Sequence, residues 1–211
     1  MKIQTFGDNP YNQNTYLYVN PELNKGVIID AGLSKTALLN QVKATEVEIE
    51  GILLTHGHFD HIFSLAELRE VTGAKVYIGA LEKDLLERPE LNLSTTLGEG
   101  KELSFGADRY VNEGELITFE SASFKVIHTP GHTSGSVCYW DEDAQVLFAG
   151  DTLFEGSVGR TDLPTGDSGA LVQSIRRQLL VLPEETKVYS GHGRATSIGK
   201  EAKDNYVLQT S

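Results

Sequence analysis

Residues 55–61 concentrate side chains that bind metal ions. The stretch has the sequence THGHFDH, so it holds three of the chain's 6 histidines and one aspartate. Imidazole and carboxylate ligands without a thiolate favour zinc, iron or manganese over a redox sulfur centre. We therefore predict that this stretch forms one wall of a metal site and that the other walls come from elsewhere in the chain.

Other metal-competent residues stand just past apolar runs that predict buried strands. The runs are residues 52–54, 124–127, 146–149 and 188–189, and they lead to His56, His132, Asp151 and His192. Buried strands fix a scaffold, while the loops that leave one edge carry the chemistry. A core histidine with a hydrogen-bond partner would explain one such residue, but it does not explain five of the 6 histidines. We expect these side chains to meet at one edge of the fold.

The number of candidate ligands favours two metal ions over one. The candidates are His56, His58, Asp60, His61, His132, Asp151 and His192. One tetrahedral zinc ion with an open position needs about three protein ligands. Such a large set is better explained by two ions roughly 3.5–4 Å apart that share a bridging hydroxide and one carboxylate. Asp151 is the predicted bridge, because only a carboxylate can offer one oxygen to each metal.

The elements that must position these residues alternate between short strands and helices, which indicates a mixed α/β (α+β) chain. The predicted strands are residues 3–6, 15–19, 27–29, 52–54, 75–78, 109–112, 115–119, 123–128, 134–140, 145–149 and 188–189. The predicted helices are residues 35–44 with Ser34 as the cap, 60–71 with Ile62, Leu65, Ala66 and Leu68 buried, 80–87, 168–182 and 198–207. No repeat or linker interrupts the pattern, so we predict a single domain over residues 1–211.

Residues 88–106 follow neither a helix period nor a strand period. A loop of this length in a compact domain is usually a lid or a binding segment. A cover over a small apolar cluster explains it equally well, since Leu91, Leu93 and Leu97 are apolar.

Composition and charge restrict the partners. A formal net charge of −12 without a cluster of Lys and Arg repels phosphate backbones, so we expect a small-molecule substrate and no nucleic acid. The opening residues lack the apolar core of a signal peptide, and no apolar run approaches the ~20 residues of a membrane helix. The single cysteine, Cys138, cannot form an internal disulfide. We predict a cytoplasmic protein that does not enter a membrane, and the residues leave its oligomeric state open.

Four motifs together resemble the metallo-β-lactamase superfamily. They are THGHFDH at 55–61, PGHT at 130–133, GDT at 150–152 and GHG at 191–193, and they span nearly the whole chain in the family's order. The resemblance implies a four-layer αββα sandwich with the site at one edge of its sheets. Within the superfamily, the segment GSVGRTD at 156–162 looks like the glyoxalase II-like small hydrolases and the related persulfide dioxygenases.

The resemblance also implies a division of the ligands between two ions. By position, the first ion takes His56, His58 and His132, the second takes Asp60, His61 and His192, and Asp151 bridges them. Flavodiiron proteins have Glu at the position of His58, and the superfamily's true β-lactamases usually lack the bridging aspartate. The residues present therefore favour the hydrolases, with two divalent ions: zinc first, and iron or manganese as alternatives.

The expected reaction is the hydrolysis of a thioester such as an S-2-hydroxyacylglutathione. The metals would lower the pKa of a bridging water so that hydroxide attacks the carbonyl carbon. Asp60 is the predicted catalytic residue, because it can accept a hydrogen bond from that hydroxide and aim it. Alternatives are a persulfide dioxygenase with one iron on His56, His132 and Asp151, a lactonase, and a non-catalytic metal-binding module.

Three further residues have two interpretations each. Arg160 is predicted to bind a substrate carboxylate bidentately, or to pair with Asp162 and hold its loop. Asp30, at the end of a predicted strand, orients a ligand imidazole or caps a turn. His128 matches no ligand position and is expected to lie behind the ligands or in the core.

Overall fold

The first sheet contains the N-terminal strands in chain order. A computed structural model describes residues 1–33, 35–98 and 100–209, so the predicted cap Ser34 lies outside the described residues. The strands of this sheet are β1 (Lys2–Phe6), β2 (Thr15–Asn20), β3 (Lys25–Ile29), β4 (Glu48–Leu54), β5 (Lys75–Gly79) and β6 (Arg109–Val111). Strands β1 to β3 pair antiparallel, whereas β3 to β6 run parallel. The carboxyl ends of the parallel strands therefore share one edge.

The second sheet faces the first and is mostly antiparallel. The remaining strands are β7 (Leu116–Thr118), β8 (Ser123–His128), β9 (Val137–Asp141), β10 (Val146–Gly150), β11 (Leu153–Phe154), β12 (Ser157–Val158), β13 (Lys187–Ser190) and β14 (Thr196–Ser197). The sheet has the order β14-β13-β10-β9-β8-β7, and β11 and β12 form a separate ribbon. Its one parallel pair in the described part of the chain is β10 with β13.

Helices cover the outer face of each sheet. They are α1 (Lys35–Thr45), α2 (Phe59–Ile62), α3 (Leu65–Thr72), α4 (Lys83–Glu87), α5 (Ser94–Leu97), α6 (Ser168–Ser174), α7 (Ile198–Asp204) and α8 (Tyr206–Gln209). A 3₁₀ turn (Ala80–Glu82) precedes α4, and a π-helical turn (Ile175–Leu179) continues α6. The parallel connections require these helices, because a crossover between parallel strands must pass over one face of the sheet.

Three apolar clusters separate four layers. The first packs α1 and α3 on the first sheet through residues such as Leu38, Leu65 and Ile52. The second lies between the two sheets, and the third packs α6, α7 and α8 on the second sheet. Successive residues of β4 alternate between the first and second clusters, which explains why its sequence is a continuous apolar run. The predicted αββα sandwich is confirmed.

The prediction of one helix over residues 60–71 is wrong. The helix is interrupted between α2 and α3, because the backbone after β3 takes over its hydrogen bonds: Ala31 N donates to His61 O, and Ser64 N donates to Ala31 O, each at 2.7 Å. Ala66, predicted to be buried, is exposed. The terminal helix is likewise divided at Asn205, and α6 with its π-helical turn ends before Leu182.

The described part of the 88–106 loop packs against the first sheet and its helices. Leu103 is buried in the first apolar cluster, with Leu93 and Phe105 packed against it. Asn92 is fully buried; its side chain donates to Leu103 O at 2.8 Å, and its carbonyl accepts from Phe59 N at 2.9 Å. These contacts favour the interpretation of a cover over core residues that also supports the histidine stretch.

The aromatic cluster between the sheets predicts a large cost for one truncation. Phe148 is fully buried, with ring centroids of Tyr16 and Tyr18 each 5.4 Å away. We expect Phe148→Ala to lower the free energy of unfolding by about 3–5 kcal/mol, because the cavity lies where the two sheets meet. Leu116→Ala, at a side chain that is 63% exposed, is the control and should cost less than about 0.5 kcal/mol in urea unfolding. Equal costs for the two variants would contradict this packing.

Candidate metal centre

Loops that follow strands of both sheets bring the seven predicted ligands together. Strand β4 leads into residues 55–61, β8 into the loop with His132, β10 into Asp151 and β13 into His192. Asp151 and His192 are half-buried, and the other donors are buried: His56, His58, Asp60, His61 and His132. The site thus lies where the carboxyl ends of strands from the two sheets meet, with its open side at Asp151 and His192.

Three histidines form the first donor group. Nδ1 of His58 lies 2.9 Å from Nε2 of His132, which in turn lies 3.2 Å from Nε2 of His56. Such a convergence of ring nitrogens could hold one metal ion. The three donors come from two loops, so their spacing depends on how the histidine stretch sits against the loop after β8.

A second group contains Asp60, His61 and His192. Oδ2 of Asp60 lies 3.3 Å from Nε2 of His192 and 3.9 Å from Nε2 of His61. These three donors could hold another ion. The alternation along residues 55–61 therefore directs His56 and His58 to one group, and Asp60 and His61 to the other.

Asp151 lies between the two groups. Its Oδ1 is 3.3 Å from Nε2 of His61, and its Oδ2 is 3.4 Å from Nε2 of His192 and 3.6 Å from Nε2 of His132. One carboxylate thus reaches donors of both groups, which is the position that a bridging ligand requires.

Hydrogen bonds on the far side of the rings fix which nitrogen faces inward. Nδ1 donates to Asp30 Oδ2 at 2.8 Å in His61, to Arg160 O at 2.8 Å in His132, and to Tyr11 O at 2.9 Å in His192. These acceptors carry no proton, so Nδ1 must carry it, and a neutral ring then presents an Nε2 lone pair to the group. This arrangement is typical of metal-ligating histidines.

Buried polar atoms without hydrogen-bond partners fit divalent cations at the two donor groups. His61 Nε2 and Asp151 Oδ1 are buried and lie 3.3 Å apart without forming a hydrogen bond, and neither has another partner among the described residues. His58 Nε2 is likewise buried without a partner there. A buried polar atom without a partner is costly. The first two atoms face the groups described above, so divalent ions would satisfy both, and the donor chemistry of imidazole and carboxylate fits such ions.

The electrostatics differ between the two groups. Burial and the neighbouring imidazoles hold the pKa of His56 well below its ordinary value and lower the pKa of His58 to about 3. Burial acts in the same direction on His192, but Asp151 and Asp60 outweigh it and raise the pKa of His192 to about 10. Burial raises the pKa of Asp151, yet His61 and His192 bring it well below its ordinary value. These shifts favour neutral His56 and His58 and a protonated His192 beside the carboxylates, and a bound cation would take the place of that proton.

The close approach of the loop backbone to the donors explains why a glycine, Gly191, precedes His192 in the GHG motif. A Cβ at this position would lie 2.1 Å from Asp151 Oδ1 and 2.8 Å from His61 Cε1. Any side chain would therefore displace the Asp151 carboxylate or the ring of His61. The physical reason is space, because the loop backbone passes directly against the donors.

The loop of His192 is tied to the N-terminal strands by residues that the sequence did not single out. Asn14 N donates to Gly191 O at 2.7 Å, and its side chain donates to Ser190 O at 3.0 Å and to Gly193 O at 2.9 Å. The hydroxyl of Tyr16 also donates to Ser190 O at 2.6 Å. No sequence signal distinguishes these bonds, since an asparagine beside a turn has many uses.

Asp30 takes the orienting role that was one of its two interpretations. Besides His61, its carboxylate accepts from the backbone N–H of Thr55 at 2.8 Å and from the Thr55 hydroxyl. That hydroxyl lies 3.1 Å from Nδ1 of His56. One buried carboxylate thus orients His61 directly and His56 through a hydroxyl.

Arg160 and His128 lie outside both donor groups. The guanidinium of Arg160 pairs bidentately with Asp162 at 2.7 and 2.8 Å and is largely exposed, while its carbonyl accepts from His132. The pairing of Arg160 with Asp162 agrees with the interpretation that it holds its loop, and a contact of Arg160 with substrate stays a prediction. His128 is half-buried, and its Nε2 lies 3.0 Å from Ser134 O.

Sequence similarity connects this site to known proteins. The family model of the metallo-beta-lactamase superfamily matches residues 8–192. The hydroxyacylglutathione hydrolase GloC of Haemophilus influenzae is 34% identical over 100% of this chain and 99% of its own length. The probable metallo-hydrolase YqgX of Bacillus subtilis is 35% identical over 99% of this chain and 98% of its own length.

Solved structures agree with this assignment of the fold. The BLEG-1 B3 metallo-beta-lactamase is 39% identical, with a TM-score of 0.93 and full coverage of both chains. TTHA1623, solved in a di-iron-bound form, is 37% identical, with a TM-score of 0.84 over 99% of this chain and 100% of its own. ETHE1 from Myxococcus xanthus is 29% identical, with a TM-score of 0.81 over 100% of this chain and 86% of its own. Among the described residues, no helix combines the length and the apolar composition needed to cross a bilayer.

The contacts of Asp30 predict weaker metal binding when its charge is removed. In Asp30→Asn, the amide must turn an N–H toward either Thr55 or the Nδ1–H of His61, so one donor faces another. We expect zinc affinity to fall by about 10–100-fold in a chelator competition. Asp141→Asn is the control, because Asp141 is also buried but bonds to the hydroxyl of Tyr18. An unchanged affinity in Asp30→Asn would exclude the orienting role.

Proposed function

Because this chain belongs to the metallo-β-lactamase superfamily, we propose that it is a metal-dependent hydrolase of thioesters. The observation that carries the proposal is the pair of donor groups with Asp151 between them. The full-length similarity to a hydroxyacylglutathione hydrolase supports an S-2-hydroxyacylglutathione as the substrate class.

The donor groups assign the ligands. His56, His58 and His132 would hold the first divalent ion, Asp60, His61 and His192 the second, and Asp151 both. Zinc is the proposed metal, with iron or manganese as alternatives, since imidazole and carboxylate accept all three. Two such ions, when bound, would lower the pKa of a water molecule to near neutrality and polarise a carbonyl oxygen.

The protein's own residues then orient the reaction. Asp60 lies 3.3 Å from His192 at the half-buried side of the cluster, where its carboxylate can accept a hydrogen bond from the attacking water and aim it. All the titratable side chains of the cluster serve as donors or hold donors, so none remains as a general acid. A thioester suits this arrangement, because a thiol with a pKa near ~8.5 leaves as a thiolate without an acid, whereas an amine does not.

A persulfide dioxygenase is the second candidate. One iron would need only His56, His132 and Asp151, and the donor atoms of these residues are adjacent, with His132 Nε2 at 3.2 Å from His56 Nε2 and 3.6 Å from Asp151 Oδ2. The same donors would also serve a lactonase. The similarity to the BLEG-1 B3 metallo-beta-lactamase adds β-lactams to the substrates that a test must include.

One combined experiment separates these candidates. We expect purified protein to contain two metal ions per chain and to release thiol from S-lactoylglutathione, because both donor groups are complete. The measurements are metal analysis, thiol release, hydrolysis of a lactone and of a chromogenic β-lactam, and oxygen uptake with glutathione persulfide. A single iron per chain with persulfide-dependent oxygen uptake would overturn the proposal, and so would cleavage of the lactone or the β-lactam alone.

The role of Asp60 predicts a loss of turnover on its replacement. We expect Asp60→Ala to abolish detectable thiol release. We expect Asp60→Asn to lower kcat by about 10²–10⁴-fold, since a neutral amide accepts the hydrogen bond from the attacking water more weakly than a carboxylate does. Asp143→Asn, at an exposed turn residue, is the control and should retain full activity. Metal analysis of the variants distinguishes a lost ion from a misdirected nucleophile. Near-normal activity of Asp60→Ala would refute the assigned role.

A further inference from the structure

A second buried carboxylate lies behind the three-histidine group. Glu82 ends the 3₁₀ turn before α4 and is only 1% exposed. Burial raises its pKa, and three hydrogen bonds counteract that effect. A buried carboxylate is costly unless its oxygens are fully hydrogen-bonded, so the partners of Glu82 show what its burial achieves.

The two oxygens of Glu82 bind two different loops. Oε2 accepts from the backbone N–H of Gly57 at 2.8 Å. Oε1 accepts from the hydroxyl of Thr133 at 2.7 Å and from the backbone N–H of Gly135 at 3.0 Å. Gly57 stands between His56 and His58, and Thr133 directly follows His132. One carboxylate therefore connects the two loops that supply the first donor group.

Close packing makes this connection rigid. A Cβ on Gly135 would lie 2.6 Å from the backbone N of Glu82 and 2.7 Å from its Oε1, and a Cβ on Gly57 would lie 3.1 Å from the backbone N of Leu86. Both loops thus press against the same turn and helix. His58 Nδ1 and His132 Nε2, which lie 2.9 Å apart, belong to the two loops that the Glu82 carboxylate connects.

We propose that Glu82 is a positioning residue that sets the spacing of His56 and His58 relative to His132, and thereby the affinity of the three-histidine group for its metal ion. The inference rests on the proposed metal site but not on the substrate. It complements the role of Asp30, which bonds to the ring of His61 in the second group. Glu82 touches no ligand ring in the contacts above, so it acts through the backbone and a hydroxyl.

A matched control exists elsewhere in the chain. Glu201 is also 1% exposed, and its carboxylate accepts from the backbone N–H of Gly156, from the hydroxyl of Thr196 and from the side chain of Asn205. It connects a loop to α7 and bonds to no residue of either ligand loop named above. If Glu82 served only to stabilise the fold, Glu82→Gln and Glu201→Gln would have the same effects.

The test compares Co²⁺ and Zn²⁺ binding by metal-free Glu82→Gln, Glu201→Gln and unaltered protein. In Glu82→Gln the amide must direct an N–H at Gly57 or at the pair Thr133 and Gly135. We expect a loss of about 10–100-fold in affinity for one of two ions and an altered visible Co²⁺ spectrum. We expect neither change in Glu201→Gln, whatever its thermal stability. Equal affinities and spectra in the two variants would overturn the inference.

Thr133→Val provides a second variant in case Glu82→Gln does not fold. It removes one of the three bonds to the carboxylate while keeping the side-chain shape, so we expect a smaller loss of affinity in the same direction, and wild-type affinity would count against the inference. Metal binding is measured without substrate, so these results stand whether or not the thioester assay succeeds. Failure of the unaltered protein to bind two ions would instead refute the proposed function.

Discussion

Ring nitrogens that face one another inside the protein are the constraint on which the site depends. Nδ1 of His58 and Nε2 of His56 lie 2.9 and 3.2 Å from Nε2 of His132, a convergence of ring nitrogens that could hold a cation. Three rings of the two groups, those of His61, His132 and His192, are each held by a bond from Nδ1 to an oxygen. Each of these three rings thus has an acceptor behind it and an Nε2 that can face a cation in front.

These acceptors and donors come from both sheets, so packing between the sheets sets the geometry of the site. Residues 55–61 follow β4 in the first sheet, whereas His132, Asp151 and His192 follow strands of the second. The aromatic residues of the central cluster keep the sheets apart, and hydrogen bonds from Asn14 and to Glu82 join their loops. A shift between the sheets would move the two halves of each donor set relative to one another.

The sequence singles out the candidate donors that the structure brings together, because the signal of each one is local: an apolar run ends, and a histidine or aspartate follows. It predicts the αββα layers only through the resemblance of four motifs to a family. It does not predict Glu82 or Asn14, since an acid in a helical segment and an amide near a turn are common, and only tertiary contacts reveal their partners. The prediction of one helix over residues 60–71 is wrong for the same reason: the hydrogen bonds that divide the helix are tertiary contacts with Ala31.

The candidate chemistries differ in their use of the second donor group. A single iron on His56, His132 and Asp151 would leave Asp60, His61 and His192 without an ion. Burial lowers the pKa of His61, but Asp30, Asp151 and Asp60 outweigh it, so the ring would then pair as a cation with these carboxylates. A second ion would instead be held by His61, Asp60 and Asp151 together, which is the arrangement that the proposed two-metal hydrolase requires.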